Sequence, residues 1–283
     1  MENLADYHIH LGYGDFRREN RSAKYANTDL DSAYNNLLQY QGTGITYLRD
    51  GGDKNMRAFR LKGEAQELGI TLAASGRALV RRGHYGKHLG YAVDTMADLK
   101  AELNFLFQSQ VDCIKVVQSN IVAVNGEPQD ETPSFNLAML QYIVSQAHDK
   151  GLPVMVHVNF PGPIELALEA GVDTVEHGYF ITPELLQAMA EKGIAWTPTL
   201  APFANALTYD VWIPGWQREI VKSVVAQQRL MVEQAVALGV RVLPGSDGGS
   251  SICPHSRCTL DEHRLLNQIP GFQPGPFYHC YGR

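Results

Sequence analysis

The chain has 283 residues, 45% of them hydrophobic and 19% charged, with a formal net charge of −6. That is the balance of a globular protein with apolar mass for a real core, and the length suits one large domain. The acidic balance argues against a nucleic-acid or anionic-membrane surface, and no apolar run reaches the length a membrane span needs. Residues 1–5 carry no basic segment followed by an apolar stretch, so no secretory signal is expected. The cysteines (Cys113, Cys253, Cys258, Cys280) are too few and too unevenly placed for a disulfide framework. A reduced, cytoplasmic protein is the default expectation.

In chain order, short β-branched runs alternate with amphipathic stretches. The strand candidates are Ala5–His10, Ile45–Arg49, Ile70–Ser75, Cys113–Gln118, Val154–Val158, Thr174–Glu176, Ala195–Pro198 and Val240–Pro244. The helix candidates are Ser32–Gln41, Met56–Leu68, Thr95–Gln108, Leu137–Lys150, Pro163–Ala170, Pro183–Lys192 and Gln217–Leu238. Gly69, Gly151, Gly171, Gly193 and Gly239 each fall just past a helix and before the next strand, where a left-handed C-cap favours glycine. Strict alternation predicts an α/β protein, a (β/α)8 TIM barrel rather than an open doubly wound sheet, since no G-x-G-x-x-G follows the first strand. Residues 76–93, 119–135 and 199–215 read as long loops on the C-terminal, active-site face. The first of these carries Arg77, Arg81, Arg82 and Lys87, either a solvated surface or substrate contacts.

The chemistry concentrates at strand ends. In Asp6-Tyr7-His8-Ile9-His10, alternation points His8 and His10 together into the barrel and Ile9 outward. Lys115 lies on an apolar strand, where a charge is costly unless paired or removed. It either reaches solvent at the strand end or reacts with carbon dioxide to give a carbamate able to bridge two metals. His157 and His177 end the next two strands; each alone would more often be a hydrogen-bonded core residue than a ligand. Asp247, just past the last strand, would alone read as a turn or helix cap. Together they are ligand-type residues at the ends of five strands, at no comparable density elsewhere in the chain.

With these residues the chain resembles the amidohydrolase superfamily, in its imidazolonepropionase-like and prolidase-like branch. The most specific stretch is VMVHVNFPGPIELALEAGVDTVEHGYFITPELLQAMAEKGIAWTPTLAP; GITYLRDGG, SGRALVRRGHYG, DCIKVV and GVRVLPGSDGGS are similar to family segments too. The resemblance implies two divalent metal ions, with zinc favoured by histidine donors and carbon dioxide bound as the carbamate on Lys115. His8 and His10 would bind the more buried ion and His157 and His177 the more exposed one, with Lys115 bridging. Asp247 would bind metal and take a proton from the attacking hydroxide. His84, Asn159 and Tyr179 would contact the substrate, and His255 shares their face.

The expected activity is hydrolysis of a C–N bond in an amide, dipeptide or cyclic amide by metal-bound hydroxide. The alternatives are an ester, lactone or phosphotriester at the same site, or a barrel that binds a small ligand without catalysis. A mononuclear deaminase would leave Lys115 without a role. The partner expected is a small-molecule substrate, with no nucleic acid and no membrane; a homo-oligomer stays open.

Two departures from the family pattern stand out. The expected domain spans residues 1–283, without the flanking β-sandwich and with 256–283 an atypical tail. The eighth helix should be short, because Pro270, Pro274 and Pro276 follow Leu260–Ile269. Tail residues Phe272, Phe277 and Tyr278, or a neighbouring subunit, would then cover strands 1 and 8. A zinc site among Cys253, His255, Cys258, His263, His279 and Cys280 matches no common spacing, and free thiols are favoured.

Overall fold

The computed structural model describes residues 3–14, 24–125, 127, 129–209, 214–250 and 252–273. Its strands run in chain order as β1 (Leu4–Ile9), β2 (Ile45–Asp50), β3 (Thr71–Ala74), β4 (Ala78–Arg81), β5 (Gly90–Val93), β6 (Ile114–Val117), β7 (Val154–Val158), β8 (Thr174–His177) and β9 (Ala195–Thr197). The helices are α1 (Asp31–Leu38), α2 (Arg57–Arg60), α3 (Lys62–Glu67), α4 (Met96–Ser109), α5 (Leu137–His148), α6 (Pro161–Ala170), α7 (Pro183–Lys192), α8 (Ala201–Thr208), α9 (Gly215–Ala237) and α10 (Arg257–Leu266).

All strand pairs are parallel, in the orders β1-β2-β3 and β5-β4-β6-β7-β8-β9. The two runs join into one ring. The third stave is β3 continuing into β4, with a left-handed break at Gly76 (φ 71°). It meets β6 through Asp112 N–H to the Ala74 carbonyl (3.0 Å) and through Leu79 beside Val116. At the other seam, residues 240–248 bond both ways. Trp196 donates to Arg241 (2.9 Å) and Leu243 to Trp196 (2.8 Å), while Tyr7 donates to Pro244 (2.7 Å) and Asp247 to His8 (2.8 Å). The result is an eight-stave (β/α)8 barrel whose last stave carries only isolated ladder bonds.

The local causes are those of a parallel α/β protein. Gly69, Gly151, Gly171, Gly193 and Gly239 all take φ between 68° and 82°, ending helices where the chain turns back to the sheet. Thr95, Asn136 and Thr182 cap α4, α5 and α7 with their side chains. Strands buried on both faces read as continuous apolar runs. Outward-facing Ile114, Val116, Val154, Val156 and Val175 pack under the helices. A smaller layer of Ala5, Tyr7, Tyr47, Ala73, Ala195 and Leu243 forms a second cluster away from the helix-facing core.

Three expectations need correction. Residues 76–93 are not one loop, since they contain β4 and β5. Likewise α8 occupies much of the expected loop 199–215, with Pro202 in its first turn. The final helix is short as expected, ten residues, but it starts at Arg257 rather than Leu260. It is fastened by His263 Nε2 to the Ala5 carbonyl (2.8 Å) and by Thr259 Oγ1 donating to Asp6 (2.5 Å). Ile269 and Phe272 then fold back into the main core. Phe277, Tyr278, His279 and Cys280 lie outside the described residues.

Candidate metal centre

Stave ends deliver the predicted donors to one place. In β1 a single extra residue sits between Asp6, opposite Leu48, and Ile9, opposite Asp50. Such a bulge shifts the in–out phase of the strand. Tyr7 can therefore pack its ring at a tilt against Tyr47 in the small inner cluster while His8, the next residue, also faces the interior. Ile9 points out to α1 and its neighbours, as alternation predicts. His177 needs a different device. Glu176 beside it already points inward, and His177 turns in through a left-handed backbone (φ 67°), with Gly178 N–H bonded to the Glu176 carbonyl (3.0 Å). Asp247 is left-handed too (φ 52°). Strained non-glycine backbone of this kind collects at functional sites.

A cavity of 360 Å³ opens at this end of the barrel. His10, Lys115, His157, Asn159, His177, Tyr179 and Asp247 are among the residues that line it. His8, fully buried, lies against them: its Nε2 is 3.2 Å from Lys115 Nζ and 3.6 Å from Asp247 Oδ1. His10 Nε2 is also 3.6 Å from Asp247 Oδ1. Donor atoms of His8, His177 and Asp247 fall within 4.8 Å of one another. The His177 ring lies 4.6 Å from that of His157 and 4.8 Å from that of His8. Gly245 makes room: a Cβ there would meet Thr197 at 2.2 Å and the His8 side chain at 2.9 Å.

The ring tautomers suit metal binding. His8 Nδ1 sits 2.7 Å from the buried Glu176 carboxylate and His10 Nδ1 3.2 Å from the Gly52 carbonyl. Both partners only accept, so each Nδ1 carries the proton and each Nε2 presents a lone pair. His177 Nδ1 is held at 2.8 Å by Thr199 Oγ1. Outer-shell partners that fix imidazole orientation are what a metal-ligating histidine requires. Burial, and then the neighbouring cations, keep the rings neutral. His10 and His157 are pushed down to about 3, and His8 and His177 are lowered well below the usual histidine range. Burial also depresses Lys115 to about 8 and raises Asp247 to about 7. Four neutral imidazoles, a buried amine whose pKa burial has lowered, and a carboxylate form a donor set that fits divalent metal.

Sequence reasoning missed the layer beneath. Glu176 accepts from His8, from Arg49 Nη2 (2.8 Å) and from Thr174 Oγ1; Arg49 also donates to the Tyr7 carbonyl (2.6 Å). Glu176 stood in view as the neighbour of His177, and an acidic residue on an apolar strand was the signal. His84 does not line the cavity; from its loop Tyr85 and His88 do, with the Tyr85 ring 5.3 Å from His157. His255 is occupied by Tyr40 (3.0 Å) and the Tyr13 carbonyl (2.9 Å). Cys113, Cys253 and Cys258 are buried thiols.

Comparison with known proteins agrees with this geometry. The Amidohydrolase family model matches residues 4–269. Uncharacterized proteins Mb2939c of Mycobacterium bovis and Rv2915c of Mycobacterium tuberculosis are 26% identical over 276 residues, spanning 95% of this chain and 69% of theirs. Among solved structures, a Xaa-Pro dipeptidase with methionine in its active site superposes with TM-score 0.75 at 23% identity, over 95% of this chain and 70% of that one. A. niger ochratoxinase superposes at 0.76 with 20% identity, over 97% and 68%. A prolidase complexed with N-methylphosphonate-L-proline gives 0.75 at 21% identity, over 96% and 70%. At such identities the likeness of structure carries the fold, and the family match carries the chemistry. The chain belongs to the Amidohydrolase family and is a metal-dependent hydrolase on a (β/α)8 barrel.

Proposed function

We propose that this chain hydrolyses a C–N bond in a small amide, dipeptide or cyclic amide, using two divalent metal ions. One observation carries the reading: six donor residues from five staves converge at one cavity with apolar and aromatic walls. Leu89, Ile121, Val122, Phe203 and Ile252 supply apolar wall, a 360 Å³ space in the range of small-molecule sites. Names among the similar structures, Xaa-Pro dipeptidase and prolidase, favour an amide over other acyl compounds.

His8, His10 and Asp247 would hold one ion, His157 and His177 the other, and Lys115 as a carbamate would reach both. Metal ions of this kind acidify water into the neutral range and polarise a carbonyl oxygen. The remaining work falls to the protein. Asp247 accepts the proton released as water attacks; burial holds its carboxyl near neutrality, suited to accept and return one. Asn159 donates from Nδ2 to the Asn120 carbonyl (3.0 Å), which aims its amide along the cavity edge. Tyr179 is anchored through its hydroxyl to Thr199 and offers its ring as wall.

Metal analysis of freshly purified protein, followed by a panel of dipeptides, N-acyl amino acids, cyclic amides, lactones and a phosphotriester, tests this. About two divalent ions per chain are expected, fewer in His157→Ala, with C–N cleavage that stops on chelation. Full activity in metal-free protein would end the reading. Lactone or phosphotriester cleavage without amide cleavage would reassign the bond, and bound metal with no turnover would favour a ligand-binding barrel.

A further inference from the structure

Against the metal-site cavity lies a second, more open depression of 380 Å³, and the two share Tyr13 and His88 in their walls. The rest of its lining is Asp53, Lys54, Asn55, Arg57 and Lys87. Residues 53–57 follow β2 and residues 87–88 follow β4, so the depression sits on the same C-terminal face. Its two loops are strapped together at the His88 carbonyl, which accepts from Lys54 N–H (3.3 Å) and from the Tyr13 hydroxyl. The Tyr13 and His88 rings meet edge-on at 5.4 Å and form the partition between the two spaces.

Its charge is one-sided. Of the basic residues between β3 and α4, Arg77 is bound to Glu102 (2.8 Å), Arg81 to the Asp94 carbonyl and Arg82 to the Asp94 carboxylate. Lys87 has no such partner among the described residues, nor has Lys54, and both are exposed. Asp53, the acidic member of the lining, is buried and turned into its own loop. It accepts from Asn55 N–H (2.8 Å) and Arg57 N–H (2.9 Å) and faces the Arg57 guanidinium at 3.6 Å. Its charge is thereby met from within, while the exposed Lys54 and Lys87 line the open space with no acidic partner among the described residues. On a chain of net charge −6 that is a local reversal of sign, and a concave site lined by one sign concentrates the opposite ion.

We propose that this depression is a subsite for an anionic group, a carboxylate or phosphate, carried by the substrate beyond its scissile bond and reached past the Tyr13–His88 partition. The assignment rests on the hydrolytic reading of the neighbouring cavity. It narrows the substrate class to amides with an acidic arm on the side away from the metals. Lysines act here as point charges rather than bidentate forks, so recognition is by charge more than by shape.

The test uses the full, metal-loaded chain with succinate and inorganic phosphate as separate calorimetric probes, in wild type and in Lys54→Ala/Lys87→Ala. Wild type should bind at least one probe, more weakly as salt rises. The double variant should lose roughly tenfold in affinity with metal content unchanged. Whichever probe binds separates a carboxylate from a phosphate preference. In turnover, the double variant should raise KM for an acid-bearing amide relative to its neutral analogue while kcat for the acid holds. Equal probe affinity in both proteins, or no binding to wild type, overturns the subsite. If neutral amides are cleaved while probe binding ignores the lysines, the subsite alone falls. If no amide is cleaved yet probe binding is lost in the variant, the hydrolytic reading falls and the anion site stands.

Discussion

His8 and Glu176 meet across the buried interior at 2.7 Å, joining the first stave to the sixth. The carboxylate also takes Arg49, so it pairs with a buried guanidinium while it orients His8, a proposed metal ligand. Replacing Glu176 with Gln keeps the shape and removes the charge. Metal affinity should fall about 10–100-fold, as when other outer-shell partners are lost. The fold should also lose stability, since the buried Arg49–Glu176 ion pair is lost. Competition with a fluorescent chelator, on protein shown to be folded by circular dichroism, measures the first effect. Unchanged affinity would mean that His8 does not bind metal.

Lys115 gives a pH dependence. Burial lowers it to about 8, so as pH rises through that value the ammonium gives way to the amine, the form able to attack carbon dioxide. Reconstitution of metal-free protein with metal and bicarbonate should therefore speed up between roughly pH 7 and 9. Lys115→Ala should bind less metal, and short carboxylic acids should restore part of the activity. Loading indifferent to bicarbonate would argue against the carbamate.

Asp247→Asn should keep at least one metal ion and lose about 10²–10⁴-fold in kcat, the usual worth of a placed proton acceptor. Asparagine tolerates the left-handed backbone seen there, so folding should survive. Wild-type turnover in this variant would assign the proton elsewhere.

Phe272 tests how the end of the barrel is covered. It is 8% exposed and packs with Leu266 and Ile269 in the main core. Phe272→Ala should cost about 3–5 kcal/mol and lower the melting temperature by several degrees. An unchanged melting curve would show that this contact covers nothing that matters.

What could be read from the sequence follows from which signals are periodic. Helix-glycine-strand punctuation sets out the alternation, and donors at strand ends mark the site, because both recur in step with the elements. What escaped depends on single backbone angles and on distant partners. Alternation places His8 and His10 inward, yet it cannot show the bulge that lets Tyr7 face inward as well. Nor can it bring both Glu176 and His177 to one side, because that takes a left-handed histidine. The Arg77 to Lys87 run looks uniform in sequence; only the positions of Glu102 and Asp94 show that Arg77 and Arg82 are paired while Lys87 has no acidic partner among the described residues. The stave at 240–244 is legible as a strand from its apolar run but makes only sparse ladder bonds.

The sparse seam has a consequence for assembly. Tyr7 bonds to Pro244, and Asp247 to His8, across almost the entire chain, so the circle can close only after everything between is in place. Residues 4–10 and 240–248 are the two lips of that closure, and Asp6 grips the far lip by accepting from Ser246 N–H (2.9 Å) and Ser246 Oγ (2.6 Å). His8, His10 and Asp247 stand on opposite lips. An ion shared among them would act as a rivet through the last joint to form, so loading the metal should slow the opening of the ring and not only equip it for chemistry.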